Sequence, residues 1–160
     1  MTAAGLIPVD DVVRFCCRTI DGMVRAVGRL DDTAVNAVPS QLPGVNSPYA
    51  LVTHALGALE WWTGHMVCGH PSTRERDAEF RAAGSVPELL AAAEAAKERL
   101  QAIAPELAAA TTIAGTPRTT IPLAGDWTVG ACLIHAYEEL AQHLGHLEIT
   151  VDLIAHDPPA

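Results

Sequence analysis

Aromatic residues are scarce in this chain: Phe, Trp and Tyr together make up 4% of its 160 residues. Hydrophobic residues nevertheless reach 49%, and they are largely Ala, Leu and Val. That Ala-Leu share favours helix over sheet. Cationic residues are also few, with 10 Lys and Arg against 19 Asp and Glu and a formal charge of -9. No basic stripe, Lys/Arg cluster or aromatic platform with basic flanks is present, which argues against a nucleic-acid partner. No apolar run approaches the ~20 residues that a membrane helix needs. The opening stretch MTAAGLIPVDDVVRF lacks a basic segment followed by an apolar one, so no secretory signal is expected and the cytoplasm is the expected compartment. Cysteine is limited to Cys16, Cys17, Cys68 and Cys132, at spacings that match no zinc or redox motif. They read as small buried hydrophobes in a reducing compartment.

The length suits a single domain over residues 1–160. Four helical segments are expected within it. The first runs from about Val9 to Leu30, with Val12, Phe15, Cys16, Ile20, Met23, Val27 and Leu30 at helical spacing. A loop from Asp31 to Asn46 follows, holding Pro39 and Pro43-Gly44. Asn46-Ser47 offers a cap and Pro48 a first helical turn for the second helix, which should reach about Cys68. Its face reads Leu51, His54, Ala55, Ala58, Trp61, Trp62, His65. Residues 71–84 are polar. Ser85-Val86-Pro87-Glu88 is a capping box that opens the third helix, which Pro105 should stop or kink. A long loop from about Thr111 to Gly125 precedes the last helix, which starts near Asp126-Trp127-Thr128 and ends near Ala155. Four amphipathic helices with a long crossover predict an all-α four-helix bundle, where metal and cofactor sites lie between facing helices.

Polar residues inside the apolar stripes carry the chemistry. Glu139 and His143 are four apart on the last helix, offset by roughly 40° around its axis. His146 lies near the same stripe. A buried carboxylate beside an imidazole needs a partner, and a metal ion is one such partner. His54 sits in the stripe of the second helix and a bundle would bring it opposite. Three protein ligands leave a position open for water or substrate, as in catalytic metal sites. Imidazole and carboxylate suit zinc, and also nickel, iron or manganese. The competing readings are ordinary ones: a hydrogen-bonded core histidine for His54, and a surface pair for Glu139 and His143. His135, one turn before Glu139, competes with it as a ligand. His65, His70 and His156 stand at helix or chain ends and read as solvated. Trp61 and Trp62 read as bundle packing, with one of them able to line the site.

Two segments resemble a known family: SPYALVTHALGALEWWTGHMVCG and LIHAYEELAQHLGHLEITVDLI. They look like the second and last helices of the DinB-like metal-binding four-helix bundles, in particular the mycothiol-dependent branch. That branch includes mycothiol S-transferases and the N-terminal domain of mycothiol-dependent maleylpyruvate isomerase. The pattern is a His in the second helix, then Glu-Glu-x-x-x-His-x-Gly-His in the last, here Glu138 to His146. The stretch RERDAEFRAAGSVPELL also looks familial, so the resemblance covers roughly residues 45–155.

The resemblance implies a divalent metal, zinc in the isomerase branch, on His54, Glu139 and His143. Many DinB-like relatives carry a His where this chain has Glu139, so its site is more anionic. The isomerase has a second, C-terminal domain for which a chain of this length leaves no room, so a stand-alone thiol transferase is the better expectation. Such an enzyme would stabilise the thiolate of mycothiol, or of a similar small thiol, for attack on a small electrophile. Arg76, Asp77 and Arg81 are candidates to bind the sugar or carboxylate of that thiol, against the plainer reading of a solvated charged loop. A metal-dependent hydrolase and a non-catalytic binding or stress protein on the same ligands are the alternatives. A homodimer is expected as well, because Val13, Cys17, Val24 and Ala26 add apolar or small residues to further faces of the first helix.

Overall fold

Why the chain folds as it does begins with its helix starts. In the computed structural model, which describes residues 7–39, 44–116 and 126–156, all regular structure is helical. α2 (Pro48–Glu60) opens where Ser47 Oγ accepts a hydrogen bond from the Ala50 amide at 3.2 Å, with Pro48 in the first turn. α4 (Val86–Ala109) opens with the expected capping box: Glu88 accepts from the Ser85 amide, and Ser85 Oγ accepts from the Glu88 amide. Asp32, arriving from the first connection, accepts from the Val86 amide at 2.7 Å and pins that connection to the start of α4.

The long helices α1 (Val9–Val27), α2, α4 and α5 (Val129–His156) form the bundle. α1 and α2 stand at opposite corners, each flanked by α4 and α5. Scarcity of aromatics shapes the core, which is filled mainly by aliphatic side chains and methionines such as Ile20, Met23, Leu51, Leu59, Met66, Leu140 and Leu147. Ala55, Ala58, Ala93, Ala96 and Ala136 are buried as well and let the helices approach closely. Among the described residues, no helix is long and apolar enough to cross a membrane.

The structure departs from the sequence expectations in five places. α1 ends at Val27, with Arg29 and Leu30 in the turn that follows. Its buried stripe runs through Val13, Cys16, Ile20, Met23 and Val27, whereas Phe15 is 45% exposed. Phe15 is one residue, about 100° of helix, away from Cys16 and meets Tyr137 edge-on instead. The second helix changes character at Trp61: Trp61–Val67 is a π-helical segment, with the Cys68 amide bonded to the Thr63 carbonyl. Residues 71–84 contain a one-turn helix, α3 (Arg76–Glu79). Pro105 does not end α4, because it faces outward and Leu107 beyond it is buried and anchors the last turn. Pro43 and residues 117–125 of the long loop lie outside the described residues.

Candidate metal centre

His54, on the α5-facing side of α2, is 4% exposed. Glu139 and His143 project toward it from consecutive turns of α5. His54 Nε2 lies 3.8 Å from Glu139 Oε2, which lies 3.4 Å from His143 Nε2. The two imidazole rings meet nearly edge-on, 4.8 Å apart. One ligand atom from each of the three residues falls within 4.8 Å of the others. The three residues singled out from the sequence are thus brought together. The Glu139 carboxyl is held below its usual range, first by the His143 hydrogen bond and then, against burial, by the nearby His135, His143 and His54.

Sequence reasoning missed the residues that orient His54. His54 Nδ1 is 2.7 Å from Glu79 Oε2 at the end of α3, so Nδ1 donates and Nε2 is left free to accept. Arg74 grips the same carboxylate from behind, Nε to Oε1 at 2.6 Å and Nη2 to Oε2 at 2.9 Å. A carboxylate that fixes the far nitrogen of a ligand histidine is the usual outer layer of a metal site. A Cβ built on Gly57 would come within 2.2 Å of Glu79 Oε1, so only glycine lets this carboxylate lie against α2. Burial works to raise the Glu79 carboxyl, but hydrogen bonds from Arg74 and His54 outweigh it and hold the group below its ordinary 4.5.

A stability consequence follows with a definite sign. A carboxyl depressed by folding stabilises the native state above its unfolded pKa, and that contribution is lost as pH falls through the folded value. Glu79→Gln is therefore expected to shrink the loss of stability on acidification below about pH 4.5. Urea melts of both proteins at pH 7 and pH 3.5 check this, and equal losses in the two would refute it.

Phe80 stacks on the other face of His54, ring centroids 4.4 Å apart, and the Arg76 guanidinium lies over Phe80 at 5.0 Å. Of the three residues singled out for the thiol, all are exposed, and Arg76 lies over Phe80, the ring that stacks on His54. His135 is buried, with Nδ1 on Glu138 at 2.9 Å and Nε2 3.3 Å from Glu139 Oε1. Trp62 and Trp127 stack on each other at 4.6 Å and both meet His135 edge-on. Trp62 thus belongs to the wall beside Glu139, while Trp61 stacks with His65 elsewhere. His146 stands 6.4 Å from His143, ring to ring, outside the triad. A cavity of about 260 Å3 lined by Leu56, Leu59, Thr63 and Leu100 lies between α2 and α4, on the opposite side of α2 from His54.

The donor set fits a divalent cation. Two imidazoles and a carboxylate converge, and His143 Nδ1 and His135 Nε2 are buried with no hydrogen-bond partner. Unpaired buried nitrogens of this kind cost roughly 1–3 kcal/mol each unless something satisfies them. A family model described as mycothiol S-transferase matches residues 12–155. The chain belongs to the mycothiol S-transferase family. Searches of curated proteins and of solved structures found no match. The match to the mycothiol S-transferase family takes in His54, Glu139 and His143 together with Arg74 and Glu79, so the outer layer lies within the family's span as the triad does.

Proposed function

We propose that this protein is a metal-dependent transferase that joins a small thiol, mycothiol or one like it, to a small electrophile. The convergence of His54, Glu139 and His143, with His54 locked by Glu79, carries this reading. A divalent ion there, with zinc suited to two imidazoles and a carboxylate, would lower the pKa of a thiol placed beside it. The chain's own residues supply the rest. Glu79 holds the proton of the neutral His54 ring on Nδ1, so that Nε2 is the accepting nitrogen turned toward Glu139. Glu139 contributes the negative charge, and the Trp62–Trp127–His135 cluster keeps water from one wall of the site. In the transfer, the thiol loses its proton to solvent, sulfur forms a bond to the electrophilic carbon, and the leaving group departs with the bonding pair.

The chain's cysteines support an external thiol. Burial pushes Cys16 up to about 12 and Cys132 up to about 11. Cys17 and Cys68 are raised as well, first by burial. None has the depressed pKa of an activated nucleophile. All four are free, as a reducing cytoplasm would keep them. The test is conjugation of purified mycothiol to monochlorobimane, which releases chloride. Product should form, stop on addition of a chelator and return with zinc. No product, or product indifferent to the chelator, would overturn the proposal.

In this reading the protein pairs as a two-fold dimer. Of the α1 residues that suggested it, Val13 and Ala26 are buried in the chain's own core, and Cys17 and Val24 are half-buried. The large apolar side chains that do stay exposed on the long helices are Phe15 on α1 and Ile134 and Ile149 on α5. Light scattering at micromolar concentration should give twice the 16.8 kDa chain mass, and a monomer mass would refute pairing.

A further inference from the structure

A second group of metal-type donors lies away from the triad, where the π-helical segment ends. Cys68 follows that segment, and Gly69 takes a positive φ of 77° that turns the chain back on itself. The turn brings His70 next to Cys68 and points both toward Glu106 near the end of α4. One ligand atom each from Cys68, His70 and Glu106 falls within 4.8 Å of the others, and His70 Nε2 is 2.9 Å from Glu106 Oε2. Four bonds of zinc length in a tetrahedron set donors about 3.3–3.8 Å apart, so the His70–Glu106 pair would open slightly to admit an ion between them.

The frame around these side chains is fixed. The His70 amide bonds to the Gly64 carbonyl at 3.0 Å, and the His70 carbonyl accepts from His65 Nδ1 at 2.7 Å. The expectation that His65 and His70 are merely solvated is therefore corrected: both are half-buried and tied to the backbone turn. The amides of Ala114 and Gly115 bond to the Met66 carbonyl and fasten the chain after α4 to the same corner. His70 and Glu106 keep 44% and 55% of their side chains exposed, so a cation would reach them from solvent and keep coordination positions open there.

We propose that Cys68, His70 and Glu106 form a second binding site for a thiophilic divalent cation of the zinc class. Thiolate, imidazole and carboxylate are the three ligand types that zinc takes from proteins. Binding displaces the Cys68 proton to solvent, and the His70–Glu106 hydrogen bond gives way to two metal bonds. The first site has no sulfur, which separates the two by spectroscopy.

Cobalt(II) added to the metal-free full chain should bind in two equivalents. Only the second should produce a sulfur-to-cobalt charge-transfer band in the near ultraviolet. Cys68→Ser should abolish that band and leave one equivalent, while His54→Ala should keep the band. Glu106→Gln should weaken the second equivalent at least tenfold without losing helicity. A band that is absent from the parent chain, or that survives Cys68→Ser, overturns the proposal. Loss of the first equivalent alone bears on the triad and leaves the second site standing.

Discussion

His143→Ala is expected to lower metal affinity by more than about 100-fold. A centre with three protein ligands loses a third of its protein donors, a larger loss than the 10–100-fold change that follows removal of an outer-layer partner. The same change strips Glu139 of the hydrogen bond that contributes most to its depressed pKa. The fold should survive, because His143 is only partly buried and the fully buried Leu140 and Leu147 on either side of it still anchor α5. Metal content by native mass spectrometry, with helicity as a control, measures the effect. Full occupancy in the variant would mean that His143 is no ligand. A metal-loaded structure with His135 in place of Glu139 would redirect the assignment to the neighbouring turn.

The second large effect is expected from a residue that touches no metal. Glu79→Ala removes the acceptor of His54 Nδ1–H and leaves Arg74 facing an empty place. The imidazole is then free to rotate and to exchange its tautomer, and affinity should fall about 10–100-fold. Competition with a chromophoric chelator gives the number. A variant that binds as tightly as the parent chain would show that packing against Phe80 alone orients His54.

These two residues differ in how readily they could be found from the sequence. His143 stands four residues from Glu139 inside an apolar stripe, where helical geometry alone puts both on one face. Glu79 lies in a charged stretch without periodicity, and Arg76, Asp77 and Arg81 beside it look equally suitable. Only the return of the 71–84 segment to α2 selects Glu79 and Arg74, and that is a tertiary event. Signals were present but quiet: a glycine at 57 in mid-helix, and Phe80 alone among polar neighbours. The starts of α2 and α4 were legible through their caps, since Ser47 and Ser85 act within one turn of their own position. The π-helical segment was not, because no residue preference within Trp61–Val67 marks its wider hydrogen-bond ring. Phe15 and Cys16 both fit the expected stripe of α1, yet the single step of about 100° between them puts Cys16 in the core and Phe15 on the surface.

The notch that Gly57 leaves in α2 gives the order of assembly a part in the chemistry. His54 belongs to a helix that can form early from local contacts, yet its tautomer is set by a segment ending 25 residues later. A newly folded α2 therefore carries a histidine that is present but not yet committed to either nitrogen. Only when the 71–84 segment drops into the notch does that histidine acquire a direction. Any change that loosens the 71–84 segment, even one far from His54, Glu139 and His143, would leave His54 without its fixed tautomer.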